Sequence, residues 1–202
     1  MAITRARTSS VAQGPSTRKT VLGGNDVILP GSYDAIATVT VGSGGQTTIS
    51  FTSIPSTYKH LQIRGIGRDA YTGGTGLAPL YWKFNSDSGA NYSDHRLAGN
   101  GSVAYTGATA NATKGDSNMT IFPVAANGGT DYGVFVMDIL DYANTNKYKT
   151  IRLFAGNESN SSYNNVGLIS GSWRSTSAIT QIDFTTLINF VQYSQVDLYG
   201  IK

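Results

Sequence analysis

The sequence predicts an all-β protein: an antiparallel β-sandwich, jelly-roll-like, preceded by an extended N-terminal arm. Three observations carry that prediction. From residue 33 onward, short runs with an apolar residue at every second position recur to the end of the chain, as in strands with one buried face. Gly, Ser, Thr, Asn and Tyr are abundant, a composition that suits strands joined by turns and disfavours helix. Glu158 is the only glutamate among 202 residues, a scarcity rarely compatible with a helical protein.

The first 32 residues form the arm. They show no sustained period of two or 3.6, and Gly14-Pro15, Gly23-Gly24 and Pro30-Gly31 punctuate them as extended, loop-like chain. Arg5, Arg7, Arg18 and Lys19 stand there against Asp26, while residues 33–202 balance eleven basic against eleven acidic side chains. The net charge of +3 therefore resides in the arm, which points to an acidic partner surface. Val21 with Leu22, and Val27 with Ile28 and Leu29, are apolar patches too small for a core but large enough to anchor the arm on a partner.

Residues 33–202 read as one sandwich domain. Ala35, Ala37, Val39 and Val41 share a face of its first strand, and Ile49 and Phe51 a face of the second, with Gly42-Ser43-Gly44-Gly45 as the hairpin loop between them. Leu61 and Ile63 mark the third strand, and Leu80, Trp82 and Phe84 form the clearest core stripe in the chain. Further strands are expected at residues 119–122, 132–140, 148–154, 166–173, 179–184 and 195–201, about ten in all, with helix confined to a turn near residues 142–146. Residues 85–115 and 156–165, crowded with Gly, Ser, Asn and Thr, are expected as long loops at the sandwich ends. Tyr92, His95, Tyr105 and Tyr163 are their candidate surface and ligand residues.

Several chemistries find no support. Without cysteine there is no disulfide, thiolate metal site or thiol nucleophile. No apolar run approaches the roughly 20 residues that cross a bilayer, and the N-terminal MAITRARTSS has no apolar stretch behind its arginines, so no membrane association is expected. Gly65-Ile-Gly67-Arg-Asp-Ala70 has the spacing of a dinucleotide loop, but loop residues continue where a phosphate-binding helix must start. Close packing of strands is the expected use of those glycines. His60 and His95 lack metal-ligand or triad context. The stretch from Asn85 through Asp87 and Gly89 to Asn91 resembles half a calcium loop without its closing glutamate, so a turn is expected. Lys147, Tyr148, Lys149 and Arg152 bring basic and aromatic residues together, but in a charge-balanced body they read as a solvated strand face, and nucleic acid is not an expected partner. Six Asn-x-Ser/Thr sequons, at Asn91, Asn100, Asn111, Asn118, Asn157 and Asn160, reflect composition. The expectation is a non-enzymatic protein with no catalytic residues, metal or cofactor.

Four tracts carry a resemblance: residues 33–68, 82–101 (WKFNSDSGANYSDHRLAGNG), 141–154 (DYANTNKYKTIRLF) and 173–202, closing in VDLYGIK. Together they resemble a family of small β-rich virion structural proteins of tailed bacteriophages, over most of residues 33–202 but not the arm. The resemblance implies a capsid decoration or cement protein, assembled in the host cytoplasm and located in the virion, whose arm binds neighbouring subunits through Arg5, Arg7, Arg18, Lys19 and the apolar patches. Its expected partners are other virion proteins, a major capsid protein or tail components, together with copies of itself in a homo-oligomer such as a trimer. The alternative is a tail- or fibre-associated module that binds a host receptor or surface glycan through the long loops.

Overall fold

In the computed structural model, which describes residues 17–22, 25–30, 32–159 and 163–202, fourteen strands and one 3-10 turn form among those residues. The strands are β1 Thr17–Leu22, β2 Asn25–Pro30, β3 Tyr33–Thr40, β4 Gln46–Phe51, β5 His60–Gly67, β6 Leu77–Phe84, β7 Tyr92–Gly99, β8 Ala104–Ala112, β9 Gly115–Pro123, β10 Gly133–Leu140, β11 Lys149–Asn157, β12 Asn165–Trp173, β13 Ile182–Phe190 and β14 Gln195–Ile201. The 3-10 turn is Ala125–Asn127.

Two antiparallel sheets make the sandwich. One has eight strands in the order β3-β14-β5-β10-β11-β12-β7-β8, the other four in the order β4-β13-β6-β9. Numbering β3, β4, β5, β6, β9, β10, β13 and β14 from one to eight, the sheets contain 1-8-3-6 and 2-7-4-5, which is the pairing of a jelly roll. The other four body strands are two inserted hairpins. β7 and β8 pair with each other between β6 and β9, and β11 and β12 pair between β10 and β13. Both insertions extend the same edge of the larger sheet beyond β10.

Alternation dictates the core. Ala78, Leu80, Trp82 and Phe84 of β6 are buried, and so are Phe135, Met137 and Ile139 of β10 and Ile151, Leu153 and Ala155 of β11. Aromatic rings fill the space between sheets: Phe122 meets Phe135 and Phe190 edge-on, and Phe84 leans on Trp173 at 5.6 Å between centroids. The glycine pair of residues 65–70 belongs to this packing. A Cβ on Gly65 would lie 2.2 Å from the Phe135 ring, and one on Gly67 2.9 Å from the Phe122 ring. The following Arg68 and Asp69 are buried and tie the corner together. The Arg68 guanidinium donates to the carbonyls of Gly128 (2.8 Å) and Gly129 (2.6 Å), and the Asp69 carboxylate accepts from the N–H groups of Tyr71 (2.7 Å) and Ile188 (2.9 Å).

Two expectations need correction. Residues 85–115 are not one loop, since β7 and β8 lie within them. The nine residues of β8, AYTGATANA, are small and polar because β8 is the outermost strand of its sheet, so they bear no apolar stripe to announce a strand. The arm also has secondary structure: β1 and β2 pair antiparallel from Thr17↔Pro30 to Leu22↔Asn25, around the dipeptide Gly23-Gly24, a pair suited to a two-residue hairpin connection. These strands pair only with each other, as a sheet separate from the sandwich.

Candidate functional site

The two sheets present very different outer faces. On the four-stranded sheet, Thr48, Tyr81, Lys83, Asp183 and Thr185 line a shallow polar groove, with the Lys114 ammonium 3.2 Å from the Tyr81 ring centroid. Such a face is at home in water. On the eight-stranded sheet, the half formed by β3, β14 and β5 is also polar. Thr38 donates to Asp197 (2.6 Å), Gln195 donates to Asp197 (3.1 Å), and Arg64 lies over the rings of Tyr33 and Tyr199.

The half formed by β10, β11, β12 and β7 is apolar. Strand register sets its residues in rows across the sheet, because directly opposed residues project from the same face. One row runs Val136, Phe154, Leu168, Leu97 from β10 to β7. A neighbouring row adds Ile66 and Val134, then passes through Gly156 to Val166. Phe154, Leu168 and Leu97 are 54%, 56% and 56% exposed, and Val134 and Val166 are about half exposed as well. On the other side a polar row bounds the band: Gln62, Asp138, Arg152, Ser170, His95. There Gln62 donates to Asp138 (2.9 Å) and Arg152 reaches the same carboxylate at 3.4 Å. The band and its polar border enclose an open groove of about 660 Å³ whose walls include Val136, Asp138, Phe154, Leu168, Leu97 and His95. Solitary exposed apolar residues are ordinary, but a contiguous patch with a polar rim is a candidate docking surface.

The sequence-derived candidates disperse on this framework. His95 is exposed on β7 and lines the groove. Tyr92 is corrected: it is neither exposed nor in a loop but lies in β7 at 1% exposure, its hydroxyl accepting from the Phe84 N–H (3.0 Å) and donating to the Asp87 carbonyl (3.2 Å). Burial pushes its pKa up to about 12, against the opposing effect of the Phe84 hydrogen bond. Tyr105 of β8 is half-buried, with its hydroxyl on the Asn165 side chain and its ring under the Arg96 guanidinium at 5.8 Å. Tyr163 shares a 2.7 Å hydrogen bond with Thr75. Arg18, Lys19, Val21, Leu22, Val27, Ile28 and Leu29 all fall in the β1–β2 hairpin, while Arg5 and Arg7 lie outside the described residues.

Other motifs resolve into scaffold. Asp87 accepts from Gly89 N–H (2.8 Å), the Asn91 amide (2.9 Å) and the Trp173 indole (2.7 Å). Burial alone would raise its pKa, but the bonds from Trp173, Asn91 and Gly89 outweigh burial and hold it below the usual carboxylate range. Lys149 is not on a solvated face: it is fully buried, and its ammonium donates to the carbonyls of Asn144 (2.5 Å), Lys147 (3.1 Å) and Thr176 (3.2 Å). His60 Nδ1 accepts from the Asp141 N–H at 3.0 Å. Bonds from Lys147 and then Lys59 hold the Asp141 carboxyl down to about 2. Among the described residues no three His, Cys, Asp or Glu side chains gather as a metal site, and no helix is long and apolar enough to cross a membrane.

The apolar row went unrecognised in the sequence, although a signal for it was present. β10, GVFVMDIL, is apolar at nearly every position, whereas a strand with one wet face alternates; a continuous run calls for cover on both sides. The chain matches no protein-family model, no curated protein and no solved structure.

Proposed function

We propose that this chain is a structural protein of a tailed-bacteriophage virion, a capsid decoration or cement protein fastened to neighbouring subunits by its N-terminal segment and by the outer face of its larger sheet. One observation carries the reading: a jelly roll leaves a four-strand-wide apolar band uncovered on its strand β10 and on the three inserted strands β11, β12 and β7. Assembly proteins need such a surface, and a jelly roll is an architecture common to viral shells and lectins. Fold alone does not fix function, so the weight rests on the band. The basic arm supplies a second attachment, and the resemblance of residues 33–202 to virion proteins supplies the setting.

The test is particle binding with purified components. Phe154→Ser combined with Leu168→Ser alters two exposed side chains and should leave the melting curve nearly unchanged while abolishing co-sedimentation with capsids that lack the protein. Removal of residues 1–30 should leave a folded body that no longer binds. Full binding by both variants refutes the reading. A second reading, a receptor- or glycan-binding module on a tail or fibre, draws on the proximity of Tyr163 to Thr75 and of Tyr105 to Asn165, polar and aromatic groups of the kind that stack on sugars. Reproducible glycan-array binding that Tyr105→Ala or Tyr163→Ala removes would favour it.

A further inference from the structure

We propose that the apolar band is covered by the β1–β2 hairpin of a second copy of this chain, so that the arms are exchanged between subunits; this rests on the assembly reading above. Two elements of the chain suit one another. The hairpin strands, TRKTVL and NDVILP, contain Val21, Leu22, Val27, Ile28 and Leu29 and pair with no strand of the body. A lone two-stranded hairpin is marginally stable in water and needs a surface to pack on. The apolar band of the body is a surface of matching size. Strands of six residues are ~20 Å long and two of them ~10 Å wide, against a band four strands (~15–20 Å) across and two rows (~7 Å) deep. A hairpin lying across the strands would cover both rows from β10 to β7.

The same chain cannot lay the full length of its own hairpin there. Pro30 connects through Gly31 and Ser32 to Tyr33, at the start of β3, the far edge of the sheet. Tyr33 lies in register with Ile201, His60 and Leu140, so it is three strands across and four residues along from Val136, a separation of ~20 Å. The connection from Pro30 to Tyr33 spans at most ~11 Å. In its own chain only about half of the ~20 Å hairpin could lie over the band, leaving its base over the polar half of the sheet. A second copy is free of that tether.

The absence of cysteine makes the test direct, because an introduced thiol has no background. Full-length I28C and L168C chains are purified separately, mixed and oxidised. The expected result is a disulfide-linked pair of unlike chains, formed at least about tenfold more than in either variant alone. In parallel, light scattering should show the wild type at a multiple of 21.4 kDa and Phe154→Asp with Leu168→Asp at the monomer mass with an unchanged melting curve. A strictly monomeric wild type with no mixed cross-link overturns the proposal. So does an I28C/L168C double variant that closes its disulfide within one chain at low concentration, since that is docking in cis. The two readings fail separately: particle binding without a mixed cross-link refutes the exchange alone, and a mixed cross-link without particle binding refutes the virion role alone.

Discussion

Lys149→Met tests whether a buried ammonium holds the β10–β11 turn to the loop before β13. Methionine keeps the apolar stem and the length and deletes the charge. Three carbonyl oxygens, those of Asn144, Lys147 and Thr176, then lose their donor. A hydrogen bond to a charged group contributes about 1.5–3 kcal/mol, and a buried acceptor left unmade costs about 1–3 kcal/mol. The contributions do not add, because Thr176 is exposed and its carbonyl can turn to water. Against them stands the cost of keeping the amine from solvent, which is why burial, and then the charge of Lys147, lower its pKa from the ordinary lysine value. The balance is a loss of about 2–4 kcal/mol, equivalent to ~5–15 °C in Tm for a chain of this size. Thermal unfolding followed by circular dichroism measures it, with Lys147→Met as the control. Lys147 is exposed and bonded to Asp141, so its loss should cost at most about 1 kcal/mol. A Lys149→Met protein that melts within ~2 °C of wild type would show that the three carbonyls find other donors at no cost, and the reasoning would fail.

Three further outcomes follow from the same geometry. Gly65→Ala forces a methyl into the Phe135 ring and should lower stability by about 1–3 kcal/mol, while Gly42→Ala, where a Cβ meets nothing within 4 Å, should be nearly silent in the same urea titration. Tyr92 has a folded pKa raised to about 12 above an ordinary value of 10.0, so its contribution is complete below pH 10 and disappears as pH rises through 12; Tyr92→Phe should flatten that alkaline loss of stability and remove one late-titrating tyrosine from the absorbance curve. Asp141 has the opposite sign: its carboxyl is depressed to about 2 from 3.8, so the stabilisation is present above pH 4 and lost as pH falls through 2, and Asp141→Asn should remove that acid limb from midpoints measured between pH 5 and 2.

How far the chain could be read in advance depended on how each strand is buried. Leu80, Trp82 and Phe84, or Leu61 and Ile63, sit on strands with one dry and one wet face, and alternation exposes them at once. β8 has little to bury and so resembled a loop, and β7 carries only Tyr92, Leu97 and Ala98 as large or apolar signals among polar neighbours. A tyrosine in an Asn- and Ser-rich stretch reads as a surface ligand residue, as Tyr92 does from sequence alone. Its burial is decided by Phe84 and Asp87, which are brought to it from β6 and the turn that follows. The apolar band was hidden for a different reason. Its residues come from separate segments, Val136, Phe154, Leu168 and Leu97, and only strand order makes them a row.

That strand order also locates the apolar band on the molecule. Eight strands complete the jelly roll, and of the row Val136, Phe154, Leu168 and Leu97 only Val136 belongs to them. The other three stand on β11, β12 and β7, hairpin strands the fold does not require. The inner faces of these strands are covered by β9 and contribute Ile151, Leu153, Ile169, Trp173 and Tyr92 to the core, so the extension is packed into the same core as the sheet it prolongs. Their outer faces have no second layer. An insertion kept only for stability would put polar residues there, as the outer side of the four-stranded sheet does with Thr48, Lys83, Asp183 and Thr185. Leaving Phe154 and Leu168 more than half exposed carries an aggregation risk, which the proposed assembly would remove. On the proposed reading the inserted hairpins are the docking module of the protein, with the jelly roll as its mount.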